Sequence, residues 1–420
     1  MDDRVFSVLQ NGYTVPVRDP LWGHVYLTPG LFALTESAPF MRLCRIFQLG
    51  PAYYVYPGAT HTRASHSIGV YYLARRLLIN LCEKGASWLS PEGALSFLCA
   101  ALLHDLGHFP YTHSLKELAL EDHETLSGRI ILAEPLKSLI GRAGADPEFT
   151  ASIVDKNSRV QTVKEGEPEF YRRLLSGVLD PDKLDYLNRD ARYCGVPYGA
   201  QDVDFIYSRL FPHKERGVEI DSRGIPSVES VLFSKYLMYR TVYWHRQVRS
   251  ATVMIKKALL GALEQGVIAP EELYNLDDQG LFTLMTSKQG NFPLFSVVES
   301  VREGRLYTEI ASFPFDRQKH AGLLPIEKRK AQEIALTEEI NRVTSLAISD
   351  DSIIIDVPEP VSFETDLYVK DENCAFADSS SAFKKSAVEA FVLSLRKIRI
   401  FCKKNLIIPG SILQNYKFTV

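Results

Sequence analysis

The chain holds 420 residues, 46% of them hydrophobic and 24% charged, with 48 Lys and Arg against 51 Asp and Glu and a net charge of −3. That balance excludes a disordered chain, which needs low hydrophobicity and strong net charge. It also argues against holding nucleic acid through the bulk field, leaving only a local basic patch for such a partner.

At about 150 residues per domain the length suggests two or three domains. A chain this long buries about three-quarters of its unfolded surface without a disulfide or metal. The N-terminus, Met1-Asp2-Asp3-Arg4, leads into no apolar run, so no signal peptide is expected. The most apolar stretch, residues 95–103, is about half the ~20 residues a membrane span needs, and no membrane partner is expected. Cys44, Cys82, Cys99, Cys194, Cys374 and Cys402 are scattered with no CxxC pair, which fits a reducing cytoplasm and gives no zinc ribbon.

In chain order, residues 1–37 alternate turn signals (Asn11-Gly12, Asp19-Pro20, Pro29-Gly30) with short β-like runs such as His24-Val25-Tyr26-Leu27. From about 38 to 142 the pattern is helical. After His66, the residues Val70, Leu73, Ala74, Leu77, Leu78 and Leu81 recur at three- and four-residue steps, which puts His66 on a buried stripe. Residues 95–103 are apolar on nearly every side, the mark of a central helix, and they end in His104-Asp105. A third helix starts with Asp180 as N-cap and Pro181 at its first position. On it Asp182, Tyr186 and Asp190 share a face. A long helical stretch over 228–266 places Lys235, Tyr239 and Tyr243 on one stripe by the same spacing.

Beyond 271 short β-like runs (306–313, 352–357) alternate with a charged helix over 327–342, and 370–381 reads as an exposed polar loop. The expected fold is mainly α: an N-terminal segment over 1–37 with a small β-hairpin, a helical core over 38–270, and a mixed α+β region over 271–420.

Four potential metal ligands stand on three of these helices: His66, His104, Asp105 and Asp182. Two imidazoles and two carboxylates suit Zn, Fe or Mn and leave open positions for water and substrate. Burying the carboxylates without a cation would cost several kcal/mol each. Three more histidines follow closely, His108, His113 and His123, in the run His104-Asp105-Leu106-Gly107-His108-Phe109-Pro110-Tyr111-Thr112-His113. Gly107 and Pro110 end the helix and turn the chain, which can aim His108 and His113 over the metal site. Histidine near its own pKa is a natural general acid for a leaving alkoxide.

With Arg45-Ile46-Phe47-Gln48-Leu49-Gly50, residues 53–58 and 63–70, the string from His104 to His113, and Asp182-Lys183-Leu184-Asp185-Tyr186 through Arg189-Asp190, the chain resembles the HD-domain phosphohydrolase superfamily. More narrowly it is similar to the deoxynucleoside triphosphate triphosphohydrolases, over about residues 10–250. The resemblance implies an HD-domain core and a hydrolysis in which water attacks the α-phosphorus of a dNTP, releasing deoxynucleoside and intact triphosphate. It implies one divalent ion on His66, His104, Asp105 and Asp182, with Mg accompanying the nucleotide, and His108, His113 and His123 as acid and water-handling groups. Arg63, Lys183 and Lys235 would then meet phosphates. Tyr186, Asp190 and Tyr243, with Tyr239 on the same stripe, would face the sugar, and Gln48 and Leu49 would sit near sugar and base. It also implies a homo-oligomer, dimer or larger.

Two positions depart from that pattern. Where the family commonly has an acid completing a relay with the histidines, this chain has Lys116, so Glu117 beside it becomes the candidate. The guanine-reading residues of regulated relatives align with Glu36, Met41 and Cys44, of which only the acid matches, so no GTP-type activation is expected there. Two other readings stand beside the triphosphohydrolase: an HD-type phosphatase or pyrophosphatase on another nucleotide, and a nucleotide- or nucleic-acid-binding protein with little turnover.

Overall fold

The computed structural model describes residues 3–158, 166–344, 346–379, 382–403, 408 and 413. Its first element is a helix the sequence reading did not anticipate, α1 (Asp3–Gln10), which buries Val5 and Leu9. Two turns give too short an apolar period to stand out before the Asn11-Gly12 turn signal. The expected hairpin follows, β1 (Val15–Asp19) against β2 (Gly23–Leu27), in register from Val15↔Leu27 to Asp19↔Gly23. Helices α2 (Pro29–Thr35) and α3 (Ala38–Leu43) then lead to the core.

That core is built on α4 (Arg63–Glu83) and α5 (Pro91–Leu103), started by Thr62 and Ser90, whose side chains accept from the Ser65 and Gly93 N–H groups. Every residue of α5 from Phe97 to Leu103 is fully buried, as its all-round apolar composition demands. Helices α6 (His123–Ile131), α7 (Leu136–Arg142), α8 (Pro147–Val154) and α9 (Glu167–Leu175) follow, with α8 and α9 packed on α5 and α6 packed on α8. Helix α10 (Pro181–Cys194) starts as the sequence reads: Asp180 accepts from the Lys183 N–H at 2.6 Å. It lies directly on α4, and the approach depends on Gly69, where a Cβ would stand 1.9 Å from Asp185 Oδ1.

After α11 (Val203–Arg209), β3 (Leu210–His213) and β4 (Gly217–Ile220), the helix expected over 228–266 is broken in two. Helix α12 (Ile225–Met238) runs into a single π turn, Tyr239–Tyr243, and α13 (Arg246–Glu264) restarts with His245 as cap. The wider turn shifts Tyr239 and Tyr243 off the straight stripe that four-residue spacing implies, an irregularity that periodicity does not reveal.

The remaining elements are α14 (Glu271–Tyr274), α15 (Asp278–Lys288), α16 (Ser296–Arg302), β5 (Thr308–Pro314), α17 (Ile326–Thr344), β6 (Ile353–Asp356), β7 (Tyr368–Val369), β8 (Cys374–Ala375), α18 (Phe376–Ser379), α19 (Lys385–Leu395) and β9 (Lys397–Cys402). β9 sits between β5 and β6 in an antiparallel sheet. β7 pairs in parallel with β4, Glu219 opposite Tyr368, so the C-terminal region shares a sheet with the helical core. The polar loop expected at 370–381 instead contains β8 and α18, held down by the fully buried Phe376, while Ser380 and Ser381 lie outside the described residues. A buried bidentate pair, Arg249 with Asp356, ties α13 to β6. The architecture is thus mainly α, with an N-terminal hairpin and a mixed C-terminal region. None of the described helices is long and apolar enough to cross a membrane. All six cysteines are free thiols.

Candidate active site

Three of the expected ligands converge where α4, α5 and α10 meet. His66 Nε2 lies 2.9 Å from Asp182 Oδ1, and His104 Nε2 lies 3.8 Å from the same oxygen. One ligand atom from each of the three stands within 4.8 Å of the others, close enough to hold one metal ion. The tautomers fit that role. His66 Nδ1 meets the Asp185 carboxylate at 2.8 Å, and His104 Nδ1 meets the Ala101 carbonyl at 2.9 Å. Both acceptors place a proton on Nδ1, which makes Nε2 the nitrogen that each imidazole turns toward the cluster. His104 Nε2 is buried with no hydrogen-bond partner among the described residues, as a donor atom awaiting an ion would be. Two imidazole nitrogens and a carboxylate suit Zn, Fe or Mn.

Asp105, expected as a fourth ligand, stands beside this group of three. Its Oδ2 accepts from Arg63 Nη1 at 2.8 Å, and its Oδ1 lies 3.3 Å from His104 Nε2 and 3.2 Å from His108 Nε2. Adjacency to His104 rotates its side chain around the helix end, toward Arg63 at the start of α4. Arg63, expected at a phosphate, is buried in this pair, with its Nε unpartnered among the described residues.

The three further histidines do gather. Ring centroids are 4.7 Å apart for His108 and His113, 4.2 Å for His108 and His123, and 5.2 Å for His113 and His123. His108 is buried, His123 is partly covered and His113 is exposed, so the cluster runs from the interior to the surface. Burial, with Arg63 nearby, holds the His108 imidazole well below its usual range, burial of the ring and the adjacent His123 do the same to His113, and burial takes His123 down to about 4. This corrects the expectation of histidines poised near their ordinary pKa: all three are neutral at neutral pH and can donate a proton only once an arriving anion offsets the cationic surroundings.

The turn carrying them is built from outside. Arg42 on α3 donates to the carbonyls of Leu106 and His108, and Ser127 Oγ bridges the Gly107 N–H and the His104 carbonyl at 2.7 Å each. Tyr111 takes φ 63°, left-handed backbone between His108 and His113 that a non-glycine residue occupies only under constraint. Glu117 does not join the histidines. Its two oxygens are committed to Lys256 and Arg329, because two buried cations from α13 and α17 outcompete neutral imidazoles for a carboxylate.

The expected substrate face is likewise occupied by internal partners. Lys183 donates to Asp180 at 2.7 Å and to the Gly177 carbonyl, and Lys235, only 5% exposed, meets Glu364 at 3.0 Å. Asp190 binds His61 Nε2 at 2.9 Å and the Tyr243 hydroxyl at 2.6 Å. Tyr239 packs edge-on to Tyr243 at 4.9 Å, and Tyr186 lies one turn above Asp182 on α10. Gln48 and Leu49 follow the bridge between Phe47 and Thr62, and Gln48 Oε1 is buried without a partner among the described residues. Among the described residues, the buried polar atoms without a partner include Gln48 Oε1, His61 Nδ1, Arg63 Nε, His104 Nε2 and His108 Nδ1.

Sequence reading missed Asp185, Arg189, His61, Arg42, Ser127 and Glu364. Asp185 and Arg189 carried a signal, since they are spaced by four on the helix of Asp182. The others reach the site from elements whose proximity no local pattern encodes.

An HD domain model matches residues 63–180, and an HD-associated region model matches residues 209–395. The chain is 36% identical over 245 residues to an uncharacterised protein of Bacillus subtilis, covering 58% of this chain and 54% of that one. It is 30% identical over 278 residues to the deoxynucleoside triphosphate triphosphohydrolase SAMHD1 of Homo sapiens, covering 59% and 44%. The chain spans about half the length of the curated relatives it matches. A solved phosphohydrolase of Bacteroides thetaiotaomicron shares its fold with a TM-score of 0.71 at 24% identity, over 93% of this chain and 100% of that one.

Proposed function

We propose, for a chain that belongs to the HD-domain phosphohydrolase superfamily, that it is a metal-dependent hydrolase converting dNTPs to deoxynucleoside and triphosphate. The observation that carries this reading is the convergence of His66 Nε2, His104 Nε2 and Asp182 Oδ1 beside the histidine triangle. Likeness to a triphosphohydrolase supports the choice of substrate.

His66, His104 and Asp182 would hold the ion, with Asp105 adjoining. A divalent ion bound there supplies charge stabilisation to a phosphoryl group and makes water a better nucleophile. Arg63, held against Asp105, lends positive charge at the same end of the pocket. Neutral His108 can accept a proton from the attacking water, and exposed His113 can protonate the leaving 5′-oxygen once the phosphates bring negative charge nearby. Tyr243, fixed by Asp190, offers the sugar an aromatic wall, and the Gln48 amide oxygen offers it an acceptor. Mg with the nucleotide, a homo-oligomer and a cytoplasmic setting belong to the same proposal.

The test is a panel of dNTPs, NTPs and monophosphates with Mn, Fe, Co and Mg, the products resolved by chromatography. Deoxynucleoside with intact triphosphate is expected. Orthophosphate or pyrophosphate would move the chain to the phosphatase class, and unaltered nucleotide would leave a binding protein. Asp182→Ala should lose its metal by elemental analysis, and His113→Ala should lose turnover.

A further inference from the structure

Residues 357–367 link β6 to β7 and carry an acid to the substrate face. Val361, Phe363 and Leu367 on it are buried, which anchors the segment. Glu364 between them reaches Lys235 Nζ at 3.0 Å, while Ser362 Oγ donates to its other oxygen at 2.6 Å. Burial would push the Glu364 carboxyl up, but Lys235 and then Lys183 outweigh it and take it down to about 2. The same carboxylate is an electrostatic neighbour of Tyr186 and Tyr239. It therefore lies against Lys235 and within electrostatic reach of Lys183, the two lysines that the proposed reaction would present to a polyphosphate.

We infer that Glu364 is a substrate-selecting residue of this site, an internal carboxylate that fills a phosphate position beside Lys235 and Lys183 and must be displaced before an anion can bind there. The inference rests on the function proposed above for the same pocket. Lys235 is almost wholly buried, and burial pulls its ammonium pKa down, so an anion beside it favours the charged form. Glu364 supplies that anion when the pocket is free. Its side chain is 35% exposed, so it has solvent to swing into, whereas Lys235 at 7% does not. A carboxylate brings one negative charge. A triphosphate brings several and spans both lysines, so it repays the displacement. A single phosphate has too little intrinsic affinity to do so, and a nucleoside has no group to place there. Glu364 thus sets a threshold of charge below which ligands do not occupy the subsite.

The experiment is calorimetric titration of the full-length protein with inorganic tripolyphosphate and, separately, with a deoxynucleoside. Glu364→Gln keeps the shape and removes the competing charge. It should bind tripolyphosphate about ten-fold more tightly than the wild type and the deoxynucleoside equally well. Adding Lys235→Gln to that variant should cancel the gain. Glu364→Asp, which withdraws the carboxylate by one methylene, should show a smaller gain in the same direction, and it serves if the Gln variant does not fold. Unchanged or weaker tripolyphosphate binding in a folded Gln or Asp variant would overturn the inference and make Glu364 a structural counter-ion only. If the wild type hydrolyses dNTPs while the variants show no gain, this inference fails and the proposed function stands. If the gain appears in a protein that turns over no nucleotide with any metal, the anion subsite stands and the proposed function fails.

Discussion

His66 Nδ1 on α4 meets Asp185 Oδ2 on α10 at 2.8 Å, and the same carboxylate also receives the Arg189 guanidinium and the Trp22 indole N–H. Arg189 reaches on to Asp19 in the hairpin at 2.8 Å, so a buried chain of charges runs from the N-terminal segment to the metal-binding face. Asp185 orients the His66 ring and raises the basicity of its free nitrogen. Asp185→Asn should weaken metal binding roughly 10- to 100-fold. It should also cost about 3 kcal/mol, because Arg189 keeps only half its counter-charge. Metal titration of chelator-treated protein, with thermal melts alongside, checks both, and unchanged metal affinity would reduce Asp185 to a packing role.

Gly69 makes that contact possible. A Cβ there would meet Asp185 Oδ1 at 1.9 Å and Arg189 Nη2 at 2.5 Å, both held in place by their own partners. Gly69→Ala should therefore push α4 from α10, costing about 1–3 kcal/mol as overpacking does and weakening metal binding at the same time. Gly141 in α7 is the control, since no atom lies within 4 Å of a Cβ built there. Gly141→Ala should instead stabilise by up to about 1 kcal/mol through helix propensity, leaving the metal untouched. Equal melting shifts in the two variants would contradict the geometric argument.

The contrast between these glycines shows where sequence reading reaches and where it stops. His66, His104 and Asp182 were legible because each sits at a marked place: on an apolar stripe, at the end of an all-apolar helix, and just after a Pro-started N-terminus. The approach of His108 and His113 followed from the turn signals at Gly107 and Pro110, while the place of His123 beside them came only from the family resemblance. The partners that set tautomer and charge were not legible, because Asp185, Arg42 and Glu364 act across helix–helix and strap contacts rather than along one element. The π turn at Tyr239–Tyr243 was hidden for a related reason: an extra residue in a helix changes its geometry without interrupting its apolar composition. The α+β texture of the C-terminal region was readable, but the parallel pairing of β4 with β7 joins segments about 150 residues apart, which no local pattern predicts.

Asp278 at the start of α15 accepts from the Phe47 N–H at 2.8 Å, next to Gln48 and Leu49. Burial raises its carboxyl from 3.8 to about 6. A carboxyl raised on folding favours the folded state while protonated, so its contribution is fully present below about pH 4 and is lost as pH rises through about 6. Asn can accept the same backbone hydrogen bond without charge. Asp278→Asn should therefore come closest to the wild type in stability below about pH 4 and exceed it by about 3 kcal/mol above pH 7. Urea melts across that range read the difference, and a constant offset at every pH would refute the assignment.

Glu117 separates two roles that one substitution can tell apart. It was expected to replace the acid missing at Lys116, yet it lies between Lys256 and Arg329, which are 5% and 4% exposed. Burial pushes its carboxyl up, but Lys256 and then Arg329 prevail and hold it low, so it is ionised at neutral pH. Removing that charge leaves two buried cations facing each other, a loss of about 3–5 kcal/mol for a broken buried pair. Glu117→Gln should accordingly melt at a markedly lower temperature while keeping its turnover number in assays run well below that melt. A relay carboxylate would behave in the opposite way, leaving the melting temperature nearly unchanged and lowering kcat by about 100-fold or more. Thermal denaturation and single-turnover hydrolysis on the same preparation decide between the two. A large loss of kcat without loss of stability would return Glu117 to the histidine relay.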